Sequence, residues 1–208
     1  MREIKIKLYR YDELSESAQI RAWEDYNKNG LDFLDGSDFR DTLKAFEDLF
    51  NIRVYSWNVD STGYGFRYCK GWQWDDGDDY FKNPFRFAKW VWNNWADKIQ
   101  APKVYGRLTT DPATKKTVYK RRESKTTVTY DCTLTGFYVD CDIIAPILDC
   151  IHYKKEYYNM GQVFDDCLDS FFTAWQKGYE YYESREYFAE TAAANEWEFT
   201  EYGELWNR

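Results

Sequence analysis

Residues 161–182 carry Phe164, Leu168, Phe171, Phe172, Trp175 and Tyr179 at three-, four- and seven-residue intervals. Side chains so spaced lie along one side of an α-helix, so this run predicts a long helix from Gly161 to Tyr182. One face is then almost wholly aromatic. A stripe of that kind is stable in water only when another apolar surface covers it, so the chain must build a core around this helix. Covering surfaces exist elsewhere in the sequence. Phe39, Leu43, Phe46 and Phe50 predict an amphipathic helix capped by Ser37, and Leu14, Ala18, Ala22 and Tyr26 predict another capped by Ser15 and stopped at Asn29-Gly30. Asn83-Pro84 opens a third, with Phe85, Ala88, Trp92, Trp95 and Ile99 on one face, and Trp90 falls on its other side. Residues 132–151 read as a loop and then a helix starting near Pro146, and Ser184 caps a last helix that runs through Ala194 and ends at Asn195.

The extended segments alternate in the period of two that a half-buried strand requires. They are residues 2–9, 52–59 and 64–69 (the last two joined by Thr62-Gly63), 103–109 and 117–130 around Asp111-Pro112-Ala113-Thr114, and 196–200. Strands and helices alternate without regular βαβ spacing. The expected fold is therefore α+β, a mainly antiparallel sheet covered by amphipathic helices. A single domain over 1–208 is expected, with 101–131 a protruding basic β-hairpin.

Charge divides unevenly. Segment 101–126 holds eight basic residues and two acids, a net +6, which leaves −14 for the rest of a chain whose net charge is −8. An acidic body repels nucleic acid and attracts basic surfaces, and a basic arm does the reverse. Aromatic residues make up 21% of the chain, more than one core needs, and rings dominate the energetic centres of interfaces. The densest mixture of rings and acids is the 71–81 loop. Trp72, Trp74, Tyr80 and Phe81 stand there beside Asp75, Asp76, Asp78 and Asp79, and these eight are the candidate partner-binding residues. Lys115, Lys116, Lys120, Arg121, Arg122 and Lys125 are the candidate contacts to nucleic acid or to an acidic partner, with Tyr119 or Tyr130 available for stacking on bases.

Patterns that carry chemistry are sparse. His152 is the one histidine and sits in an apolar helix beside Ile151 and Tyr153. Cys132, Cys141 and Cys150 are nine residues apart, too wide for a zinc knuckle. A calcium loop counted from Asp75 fails because Arg86 holds the twelfth position, where a bidentate Glu is needed. Neither GxGxxG, GxxxxGK[ST] nor GxSxG occurs. No cofactor and no metal site is expected. An enzyme built on a carboxylate or on Cys132, next to Thr133 and Thr135, is the alternative left by elimination. The five cysteines contain no CxxC, and neither an export signal nor a membrane span is evident, so reduced thiols in a cytoplasm are expected.

Three segments carry a resemblance. Leu8-Tyr9-Arg10-Tyr11-Asp12-Glu13-Leu14-Ser15-Glu16-Ser17-Ala18 resembles the opening of a family of small proteins common in bacteriophages and mobile elements of gut bacteria. Cys132-Thr133-Leu134-Thr135-Gly136, followed by Asp142-Ile143-Ile144-Ala145-Pro146-Ile147, is similar to its middle signature. Tyr187 to Glu204, with Ala194-Asn195-Glu196-Trp197-Glu198-Phe199-Thr200-Glu201-Tyr202-Gly203, is similar to its closing helix, strand and turn. The basic hairpin and the 71–81 loop depart from that pattern. The resemblance implies a phage setting and no particular activity. By analogy it implies a non-catalytic inhibitor of a host defence nuclease, of the anti-CRISPR or DNA-mimic kind, acting in the bacterial cytoplasm. Its partner would be a host protein with a basic nucleic-acid groove, with guide RNA or DNA contacted through the hairpin. A nucleic-acid-binding accessory protein is the alternative, and a homodimer is a further expectation.

Overall fold

The structure, a computed structural model, describes residues 6–29, 36–71, 74, 91, 93–95, 99, 104–110, 113–114, 117–123, 132–153 and 160–206. Across 104–110, 117–123 and 150–153 it describes the backbone. The architecture is α+β. Contacts gather the chain into two compact units. The first comprises Met1–Gly36, Asp60–Gly63 and Gln176–Arg208, the second Ser37–Val59 and Tyr64–Trp175.

The second unit is organised by the helix that its aromatic spacing predicted, α4 (Met160–Tyr182), whose residues up to Trp175 belong here. Phe164, Leu168, Phe171 and Phe172 are buried on it as expected, and Met160, Val163 and Cys167 join them. α2 (Ser37–Phe50) supplies Phe39, Leu43, Phe46 and Phe50, all buried. Phe39 stacks on Trp175 with ring centroids 4.9 Å apart, and Phe46 meets Phe164 edge-on at 6.2 Å. Each buried ring stabilises by about 1.5–3 kcal/mol, with roughly 0.5–1.5 kcal/mol more for a well-oriented pair, so this ring cluster outweighs any single polar contact in the unit. Ser37, expected as a cap, is instead the first residue of α2. The helix ends at Asn51, whose φ of 49° is the left-handed stop that Asn tolerates.

β1 (Ile52–Asp60) and β2 (Gly63–Lys70) form the expected hairpin. The carboxylate of Asp60 accepts hydrogen bonds from the amides of Thr62 and Gly63 and from the Thr62 hydroxyl, which fixes the turn. β3 (Val104–Thr110) and β4 (Thr117–Glu123) pair antiparallel, with Arg107 opposite Lys120. Where the alternation predicted one sheet, the described strands form two separate two-stranded ladders. Of the expected third helix, Val91, residues 93–95 and Ile99 are described and helical.

α3 (Val139–Tyr153) corrects the expected start near Pro146: it begins seven residues earlier and holds Pro146 inside. Proline removes one backbone hydrogen bond there. Buried Ile143, Ile144, Ile147 and Leu148 on either side make good that loss through packing.

In the first unit, a 3-10 turn over Tyr11–Glu13 leads into α1 (Glu16–Asn29). Ser15 accepts the Ala18 amide, as its capping role requires. α5 (Arg185–Ala194) is capped by Ser184, which accepts the Tyr187 amide at 3.1 Å, and it ends at Asn195 as the sequence predicts. Leu14, Ala18, Ala22, Phe188, Ala192 and Phe199 form one core, with Tyr11 edge-on to Phe188 at 5.0 Å. The end of α4 is held by α1: the Trp23 indole N–H and the Asn27 amide both donate to the Glu183 carbonyl, at 2.8 and 3.0 Å. The expected strands at 2–9 and 196–200 are each reduced, among the described residues, to isolated bridges. Phe199 pairs with Tyr9 on one side and Leu205 on the other. The left-handed Glu196 (φ 52°) and the turn at Gly203 bend the backbone on both sides of Phe199, too soon for a full strand.

Gly203 has a φ of 85°, and a Cβ there would lie 2.1 Å from the Ala18 carbonyl oxygen. The φ is strained for any L side chain, and the clash relaxes only if the Gly203 turn or α1 moves. Gly203→Ala is therefore expected to destabilise the protein by about 2–4 kcal/mol in denaturant unfolding. Gly63→Ala, where nothing lies within 4 Å of the added carbon, is expected to change stability by less than about 1 kcal/mol.

Candidate binding surface

Of the eight residues expected at a partner surface, the structure describes one, and it corrects that expectation. Trp74 is 6% exposed. Its indole N–H donates to the Phe50 carbonyl at 2.7 Å, and its ring lies edge-on to Phe164 at 5.3 Å. A ring with its polar handle satisfied inside the core has nothing left to offer a partner. Trp72, Asp75, Asp76, Asp78, Asp79, Tyr80 and Phe81 lie outside the described residues, as do Lys115, Lys116 and Lys125. Lys120, Arg121 and Arg122 lie on β4.

Exposed rings occur in both units, with Tyr55, Trp57 and Tyr138 in the second, and the larger acid excess among the described side chains belongs to the first unit. Its described side chains include fourteen acids against six bases, and twelve of those acids are exposed. Exposed aromatic residues stand among them: Tyr202 at 59%, Tyr181 at 47% and Trp206 at 40%. Tyr181, Tyr182 and Tyr187 pack on one another with centroids 4.8–5.6 Å apart, astride the junction of α4 and α5. The Tyr181 hydroxyl donates to Glu190 at 3.2 Å. That bond, then burial and the nearby Glu190 and Glu186 charges, raise its pKa. Tyr202 is raised likewise, first by its hydrogen bond to Glu201. Both phenols therefore stay neutral donors that order carboxylates. The sequence held this signal in residues 176–206, where eight acids face two bases. The 71–81 loop holds a denser mixture of the same residue types.

In the second unit the acids are engaged differently. Tyr68 donates toward Asp165 (2.8 Å) and the Gly161 carbonyl (3.0 Å), and Tyr64 lies 3.0 Å from the Thr173 hydroxyl and 3.4 Å from Asp169. Burial, then the Asp165 hydrogen bond, pushes the Tyr68 phenol well above its ordinary range. These tyrosines tie β2 to α4.

Among the described residues, the most densely bonded carboxylate is one that the sequence pattern did not single out. Asp140, in the first turn of α3, is buried. Its Oδ2 accepts the amides of Leu134, Thr135 and Gly136 at 2.9, 2.7 and 3.1 Å, and its Oδ1 accepts the hydroxyls of Thr135 and Thr42 at 2.8 and 2.7 Å. Burial alone would raise its pKa, but these hydrogen bonds outweigh it and hold the carboxyl below its ordinary value. The Cys132–Gly136 segment is thus bound to α2 and α3 by a single carboxylate. The Thr135 hydroxyl, considered as a neighbour for Cys132, is committed to Asp140. Cys132 lies beside Cys141, whose thiol is raised by burial and then by Cys132. Cys150 and His152 lie on α3, where the backbone is described.

Among the described residues, no helix is long and apolar enough to cross a membrane. No family model, curated protein or solved structure matches the chain.

Asp140 makes a pH prediction. A depressed folded pKa contributes stability that is present above the unfolded value, about 3.9, and is lost as pH falls through the folded value. Asp140→Asn is expected to lower stability at neutral pH by about 2–4 kcal/mol, because an amide presents N–H to donors. The variant is also expected to show a shallower loss than the parent as pH falls below about 4. Urea unfolding across that range measures both.

Proposed function

We propose that this chain is a non-catalytic binding protein whose acidic, aromatic surface occupies the basic groove of a nucleic-acid-handling protein. The observation that carries this reading is the acid excess of the first unit, fourteen against six, with Tyr181, Tyr202 and Trp206 exposed among the carboxylates. Carboxylates at a surface answer the cations that line a phosphate-tracking groove. Rings that are only partly buried supply contact area at low entropic cost. The sequence resemblance to phage proteins suggests a host defence nuclease as the target, held stoichiometrically in the bacterial cytoplasm. We read β3–β4 as a projecting arm of the same protein.

Capture from a bacterial lysate at low salt, with the captured protein identified and then assayed on DNA, tests this. The expected partner is a nuclease with a basic groove, slowed by stoichiometric amounts of the chain. Capture is expected to fail near ~1 M salt, where the screening length falls to about 3 Å. The quadruple variant Glu186→Gln, Glu190→Gln, Glu201→Gln, Glu204→Gln is expected to weaken capture at least about tenfold. Capture indifferent both to salt and to these four carboxylates contradicts the proposal.

A further inference from the structure

The β3–β4 register sorts the basic residues of the hairpin onto two unequal faces. Tyr105 lies opposite Arg122, Arg107 opposite Lys120 and Thr109 opposite Val118. Residues directly opposite in an antiparallel pair share a face, and so do residues two apart along a strand. One face therefore collects Tyr105, Arg107, Thr109, Val118, Lys120 and Arg122: three cations, one ring and no acid. The other collects Val104, Gly106, Leu108, Thr110, Thr117, Tyr119, Arg121 and Glu123, one cation against one acid. The charge of this ladder is thus not spread around it but gathered on one side.

That arrangement works against the hairpin's own stability. Like charges directly opposite one another weaken a strand pair, and Arg107 faces Lys120 at the centre of the ladder. Contacts made by β3 and β4 to the other described elements are slight beside those they make to each other. Lys120 and Arg122 are two residues apart, about 7 Å along the strand, a separation that suits successive phosphates of an extended strand.

We propose that the Arg107–Lys120–Arg122 face of the β3–β4 hairpin binds the phosphate backbone of single-stranded nucleic acid, with Tyr105 placed to stack on a base. Single strands are favoured over duplex because the face combines cations with a ring at matching register, and a base is free to meet a ring only when unpaired. Tyr119, which the sequence pattern offered for stacking, falls on the opposite face from Lys120 and Arg122.

The test is fluorescence anisotropy of the full chain with a labelled oligothymidine of about twenty nucleotides at about 50 mM salt. Arg107→Glu and Lys120→Glu are each expected to weaken binding at least about tenfold. Arg121→Glu makes the same change in net charge on the other face and is expected to stay within about twofold. The parent's log affinity is expected to fall with log salt with a slope of about 2, three phosphate contacts at roughly 0.7 each. Misfolding is controlled by the design, since Arg107→Glu converts the like-charged pair with Lys120 into an opposite-charged one. Amide exchange across 104–123 should therefore be no faster in that variant. The proposal is overturned if the oligothymidine does not bind, if Arg121→Glu weakens binding as much as Arg107→Glu, if a duplex of equal length binds more tightly, or if polyglutamate competes as well as the oligothymidine and so shows a surface for acidic protein.

Discussion

The ring face of α4 is the constraint from which the second unit follows. Phe164, Phe171, Phe172 and Trp175 need covering, and each neighbour covers a part. α2 brings Phe39 and Phe46, β2 brings Phe66 and Tyr68, and Trp74 closes on Phe164. Because rings of this size are costly to leave in water, the positions of α2 and of the β1–β2 hairpin are set by where these rings lie. The polar bonds then select among packings of similar apolar area. Tyr68 on Asp165, the Trp74 indole on the Phe50 carbonyl, and Asp140 on the Cys132–Gly136 segment each fix one register that apolar contact alone leaves free to slide.

Elements whose signal is local were legible from the sequence. The periodicity of α4 and α2, the Ser184 cap, the Asn195 stop and the Thr62-Gly63 turn all rest on residues a few positions apart, and the structure has them where the pattern places them. Features that depend on distant partners were not. Pro146 looked like a helix start because proline suits that position, yet packing of the surrounding isoleucines carries α3 through it. Trp74 looked like a surface anchor because aspartates follow it, and only the fold shows Phe50 and Phe164 closing over it. Asp140 was invisible as a key group, since its donors include Thr42, ninety-eight residues away. The terminal strands failed for a backbone reason: a left-handed Glu196 and the glycine turn leave room for single bridges and no ladder.

Charge follows the same division of labour. In the second unit, Asp140 is consumed internally and Asp165 is engaged by Tyr68, so part of the acid there serves to hold the fold. In the first unit most acids are exposed, and the tyrosines beside them order carboxylates at the surface. Three of the four cations on β3 and β4 are placed by strand register on one face of the ladder. In the function we propose, the acidic side chains meet a basic groove and the hairpin meets an anionic strand, the pairing that a complex of nuclease and nucleic acid presents.

The central claim is that partner binding is a property of the acidic first unit. Hydrogen exchange of the chain, free and saturated with its captured basic partner, tests it most directly. The account predicts slowed exchange concentrated in residues 176–206, around Tyr181, Glu190 and Tyr202, with α2 unchanged. Slowing that falls instead on residues 37–50, with 176–206 exchanging as in the free chain, would contradict it.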